Sequence, residues 1–181
     1  RLHLGDDTLR RGHDLRLFKL GRGAAVLDIE RVELRVHPDA LNLCWRKLPD
    51  NVLDAQVSLY HWVAACLVFG RAGVAEGELD AVMHVEVRAL QQRAQAVVDD
   101  TMGSNQALVV VYLRDGSRLE SKTEDVTGSV TNPMSDAQLS EKFIGLVGPV
   151  LGLRRAQVLL DKCLNMHGVH GAAEILQLGA Q

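Results

Sequence analysis

Residues 107–122, "ALVVVYLRDGSRLESK", constrain the fold of this chain more than any other stretch. Two strand-like runs bracket Asp115-Gly116, and an Asp-Gly pair favours the primed turn whose twist matches that of paired strands. Side chains alternate along a strand, so Val109, Val111 and Leu113 take one face and Val110 and Tyr112 the other. A hairpin of this kind needs further strands, and residues 29–36, "IERVELRV", supply one. There Val32, Leu34 and Val36 alternate with Arg31, Glu33 and Arg35, the pattern of a half-buried strand, and His37-Pro38-Asp39 stops it.

Helical patterns surround these strands. In residues 54–69, "DAQVSLYHWVAACLVF", apolar positions recur at helical spacing and then cover almost every face, and Gly70 supplies a C-terminal stop. This predicts one buried helix. Residues 78–94 read as a second, with Leu79, Val82, Met83, Val87 and Leu90 on one stripe. The junction "TGSVTNPMSDAQLSEKF" turns from loop to helix: Asn132-Pro133 is a turn pair, Ser135 an N-cap, and Asp136 and Glu141 favour the positive end of the helix dipole. Residues 154–166 and 172–178 continue the helical pattern. Strands that pair through hairpins, with helices gathered before and after, give an α+β class with a small antiparallel sheet and C-terminal helices. The expected organisation is an irregular lead-in over residues 1–28, an α+β domain over 29–130 and a helical return over 131–181.

Composition narrows the function. A net charge of -3 with 24% charged residues gives no preference for polyanions, so nucleic acid is not an expected partner. No apolar run spans a bilayer, the longest being residues 62–69, so no membrane association is expected. Cys44, Cys66 and Cys163 are odd in number and widely spaced, which predicts free thiols in a reducing compartment, by default the cytoplasm. The chain starts at Arg1 without a methionine or a signal-peptide pattern, as a fragment or a processed chain would.

Phosphate loops, Cys-x-x-Cys pairs, nucleophile elbows and zinc-protease motifs are absent from the sequence. His167 and His170 in "MHGVHG" stand three apart between glycines with no third ligand, and no metal or other cofactor is expected. His61 sits in the apolar helix three residues after Ser58. A histidine there is either a satisfied core residue or, beside a hydroxyl in low-polarity surroundings, a proton-transfer group. Ser58 and His61 are therefore the candidate catalytic residues. Lys19, in "LFKL", reads by itself as a surface lysine. Asp99-Asp100 reads as a strand end, because adjacent strand residues face opposite sides.

Three segments together resemble the MmgE/PrpD family. "DAQVSLYHWVAACLVFG" is similar to its "FSLPY-x-x-A-x-A-L-x-x-G" helix, "VVVYLRDGSRLE" to its hairpin, and "GSVTNPMSDAQLSEKF" to its "G-x-x-x-NP-(Leu/Met)-S-x-x-(Glu/Gln)-L-x-x-KF" segment. The resemblance runs over about residues 29–164, in matching order and spacing. It implies a small lid domain followed by a return to a helical domain. It also implies chemistry on a small polycarboxylate without a metal cluster, since the family includes 2-methylcitrate dehydratase, cis-aconitate decarboxylase and iminodisuccinate epimerase. A proton or carbon dioxide then leaves beside a carboxylate, which calls for a positioned base and for cationic clamps.

On that resemblance Lys19 is the substrate-binding clamp, matching the lysine of the family's "fK-x-(Tyr/Phe)-P" element. The proline of that element and the Cys- and His-bearing helix that follows it have no match in "LFKLGRGAAVLD", nor has the family's N-terminal helical domain. The expected partners are the polycarboxylate and either further copies of the chain or a helical domain that the lid covers. The alternative is a non-catalytic interaction or structural module that retains the lid fold.

Overall fold

A computed structural model describes residues 26–166 and 172–180. Lys19, His167 and His170 lie outside the described residues. The chain divides between Asn132 and Pro133 into two compact units.

The first unit is α+β. Strand β1 (Ile29–Val36) leads into helix α1 (Pro38–Cys44), α2 (Val52–Gln56), α3 (Leu59–Phe69), α4 (Leu79–Val82) and α5 (Val85–Arg93). Strands β2 (Ala94–Val98), β3 (Ala107–Leu113) and β4 (Arg118–Thr123) follow. The four strands form one sheet in the order β2-β1-β3-β4. β1 runs antiparallel to β3, with Val32 opposite Val111, and parallel to β2, with Val32 opposite Ala94.

As the alternation predicts, Val32, Leu34 and Val36 are buried. Ile29 is buried as well, although it is out of step with them. A bulge between Ile29 and Arg31 inserts Glu30 without a partner and turns Ile29 inward. Ile29, Val32 and Leu34 join Tyr60, Ala64 and Leu67 of α3, Val87 and Leu90 of α5, and Val111 and Leu113 of β3 in one apolar core. On the other face Glu33 sits between Arg31 and Arg35, and the Arg31 guanidinium stacks on Tyr112 at 3.3 Å.

Three local expectations need correction. The sheet is mixed rather than purely antiparallel, because the segment read as one helix over residues 78–94 breaks at Met83-His84 and passes directly into β2. Neither glycine nor proline marks that change. Ala94 takes extended dihedrals as the cap of α5, and its pairing with Val32 outweighs the weak strand preference of "AQAVV". The helix read over residues 54–69 is broken at Val57-Ser58. Asn51 caps α2 and Ser58 caps α3, each through a side-chain oxygen that accepts a backbone N–H.

The hairpin forms, but its turn is not the primed type. Among the described residues no non-glycine residue has positive φ, and in the turn only Gly116, at 85°, adopts it. The Asp115 carboxylate accepts from both the Ser117 N–H (2.8 Å) and the Ser117 hydroxyl (2.5 Å). Asp115 therefore stays at negative φ, Gly116 N–H closes the turn on Leu113 O at 3.0 Å, and Leu113 N–H then reaches Ser117 O at 2.9 Å. This is the longer hairpin loop with glycine at its left-handed position.

The second unit contains α6 (Asp136–Leu151), α7 (Leu153–Leu164) and α8 (Ala172–Gly179). Ser135 caps α6 in a complete capping box. Its hydroxyl accepts the Gln138 N–H at 3.3 Å, while Gln138 Oε1 accepts the Ser135 N–H at 2.8 Å. The sequence reading named the cap but missed Gln138 as its reciprocal partner. In α7, Ala156 and Leu159 are buried, whereas Leu164 is 53% exposed.

Because the Ser135 bonds are explained by the helix end alone, Ser135→Ala should cost about 1 kcal/mol of stability and Ser135→Gly only a few tenths. Chemical denaturation of the two variants beside the wild type checks this ordering. Equal losses would contradict it.

Candidate functional site

The buried polar residues of the chain among those described are Ser58, His61, Glu76 and Gln91, and all four belong to the first unit. They meet around α3. Ser58 has extended dihedrals, accepts the backbone N–H of His61 at 3.0 Å and donates its hydroxyl proton to Arg46 O at 2.5 Å. An antiparallel bridge between Trp45 and Ser58 runs alongside. Ser58 thus fixes the first turn of α3 to the preceding loop.

One turn on, the His61 ring is fully buried. Its Nε2 lies 2.8 Å from the backbone oxygen of Glu76, and a carbonyl can only accept, so Nε2 carries the proton. Nδ1 then holds the lone pair and accepts from Gln91 Nε2 at 3.4 Å. Burial pushes the His61 pKa below its ordinary value, with the Glu76 carbonyl acting in the opposite direction.

Glu76 is held at both ends. One carboxylate oxygen accepts from Arg71 Nε at 2.6 Å and the other from Gly73 N–H at 2.9 Å, while its carbonyl takes the His61 proton. The loop that bears it is shaped by glycine. Gly70 caps α3 with φ of 69°, and a Cβ at Gly77 would stand 3.3 Å from Trp62 Cη2. Cys66, on the same helix, has its thiol pushed up to about 11 by burial and by the negative charge of Glu76. A thiol so shifted stays protonated and unreactive at neutral pH.

Ser58 and His61 are thus brought together, but the hydroxyl meets the backbone of His61 and not its ring. A nucleophile and base pair needs the opposite arrangement, with the imidazole lone pair on the hydroxyl. The lone pair of His61 is turned to Gln91 inside the fold. Sequence reasoning did not single out Glu76, Gln91 or Arg71. Glu76 stands among the glycines of "GRAGVAEG" as any loop acid would, and Gln91 occupies an ordinary helix position.

The fold and this enclosed polar layer define a small α+β domain that carries a helical extension. The sequence profile of the MmgE/PrpD C-terminal domain matches residues 8–166, and the chain belongs to the MmgE/PrpD family. No curated protein matches the chain. Among the described residues no helix is long and apolar enough to cross a membrane.

The neutral, buried His61 gives a pH signature. Its folded-state pKa lies below the unfolded-state value of about 6.5. Above that pH both states are neutral at this residue and its contribution is complete. Below it the unfolded chain binds a proton that the folded chain does not yet bind, so stability falls as pH drops towards the folded-state value and levels off beneath it. Between pH 7.5 and 5, the wild type should lose up to about 1.4 kcal/mol per pH unit more than His61→Gln over this window, measured by denaturant unfolding. Parallel pH profiles for the two proteins would contradict the assignment.

Proposed function

We propose that the chain is the lid-type, C-terminal portion of a lyase or isomerase that acts on a small polycarboxylate, in which a proton or carbon dioxide is lost beside a carboxylate. Membership of the MmgE/PrpD family over residues 8–166 carries this reading. In it Lys19 clamps a substrate carboxylate as a point charge. Ser58 and His61 are framework in this reading: they hold α3 and the loop through Glu76, and the group that removes the proton is another one.

The same reading assigns the protein to the cytoplasm and gives it a helical partner domain or further copies of itself. Helix α6 supports the partner, since none of its side chains is buried and Leu139, Leu146 and Val150 are 47%, 49% and 59% exposed. The second reading, a non-catalytic module, is favoured by the same burial of Ser58 and His61, because neither presents a reactive edge to solvent.

Assays of methylcitrate dehydration, cis-aconitate decarboxylation and iminodisuccinate epimerisation, on the protein with its partner domain, separate the two. The enzyme reading expects turnover of one of these substrates. Lys19→Ala should then raise KM about tenfold or more, and Lys19→Arg should keep most of the affinity. Absence of both binding and turnover across the three substrates would leave the non-catalytic module as the function.

A further inference from the structure

Gln91 Oε1 is a fully buried acceptor with no hydrogen-bond partner among the described residues, and the same amide donates through Nε2 to His61 Nδ1. An orphaned acceptor in a core costs free energy and calls for an explanation. Its position beside a histidine supplies one. The two ends of a primary amide are nearly the same size, and a half-turn about the last side-chain bond exchanges them in place. In the present orientation Gln91 meets a neutral ring that offers a lone pair. Reversed, it would offer Oε1 to a ring that carries a proton on Nδ1. Either way the end of the amide that faces the ring is paired with Nδ1, so the contact with His61 survives the reversal.

We propose that His61 and Gln91 form a buried two-state proton site: on acidification a solvent proton binds the Nδ1 lone pair of His61, and the Gln91 amide reverses to accept it. The Nε2–H bond to Glu76 O is kept in both states, so the loop through Glu76 stays attached to α3 while the ring gains its charge. Among the described residues the recorded partners of the ring are Glu76 O, the Gln91 amide and, edge-on, Trp62, none of which presents a charged group to it. From the loop, the Glu76 carboxylate is engaged by Arg71 and Gly73. On α3 itself Tyr60 and Cys66 are the other buried titratable residues; the Tyr60 ring faces Lys47, and Cys66 senses Glu76.

On α5, Arg88 donates to Pro49 O and Arg93 to Ala89 O and Ile29 O, Glu86 is exposed, and the capping His84 packs its ring on Phe69. On α2, Asp54 pairs with Arg46, and β2 carries no titratable side chain. Gln91 is therefore the group that can respond to the proton. This inference concerns the interior of the domain and does not depend on the proposed reaction.

Nuclear magnetic resonance on the intact protein, labelled with nitrogen-15 and titrated from pH 8 to 4.5, tests it. Neutral His61 should show a protonated Nε2 and a bare Nδ1. The Gln91 side-chain amide signals should then move with the same midpoint as Nδ1 protonation. In Gln91→Met, which fills the space but cannot accept, that midpoint should fall by half a pH unit or more, about a threefold loss of proton affinity. Gln91 signals that ignore the titration, a His61 that stays neutral until the protein unfolds, or an unchanged midpoint in Gln91→Met would each overturn the proposal. Should Gln91→Met fail to fold, the wild-type titration decides by itself, because coincidence of the two midpoints is already the claim.

Discussion

Strand β1 is hydrogen-bonded along both edges, to β3 in antiparallel fashion and to β2 in parallel, and the rest of the first unit follows from that double pairing. An antiparallel neighbour can be reached by a tight turn. A parallel one cannot, since the chain must leave one end of β1 and return to the other before it can run alongside. Everything from α1 to α5 lies in this return. Its helices have to cover the apolar face made by Val32, Leu34 and Val111, and α3 and α5 do so with Tyr60, Ala64, Leu67, Val87 and Leu90.

The return also explains why the polar layer lies where it does. Helix α3 is apolar around most of its surface, so a loop that follows it must satisfy its own backbone against a buried helix. His61 meets that need by donating to the carbonyl of Glu76. The Glu76 carboxylate is buried too, and an isolated buried charge is costly, which Arg71 and the Gly73 N–H offset by direct bonds. Breaking one member leaves others buried without partners.

Much of this was legible in the sequence where local and tertiary preferences agree. The alternation in β1, the Asp-Gly hairpin, the Gly70 stop and the Ser135 cap are each written in a few adjacent residues, and each forms. What escaped is what long-range contacts decide. β2 follows a helix without punctuation and is a strand because β1 offers it an edge. The break at Ser58 hides inside an apolar period, where serine looks like one more helix residue until its hydroxyl is seen on the His61 N–H. The partners of His61 stand 15 and 30 residues away, and no spacing rule reaches that far. For the candidate site, the sequence placed Ser58 and His61 side by side, and only the fold shows which atoms meet.

Under the proposed function the polar groups around α3 are framework, and the proton is removed by another group. Ser58 tests this most directly, because its hydroxyl proton is committed to Arg46 O and its oxygen accepts the His61 N–H. The decisive measurement is kcat per folded molecule in Ser58→Ala, read together with its unfolding free energy on the active protein. The account predicts a loss of roughly 1–2 kcal/mol in stability, as for a removed helix cap, with kcat at the wild-type value. An unchanged stability with kcat reduced about a hundredfold or more would contradict it and make Ser58 a catalytic residue.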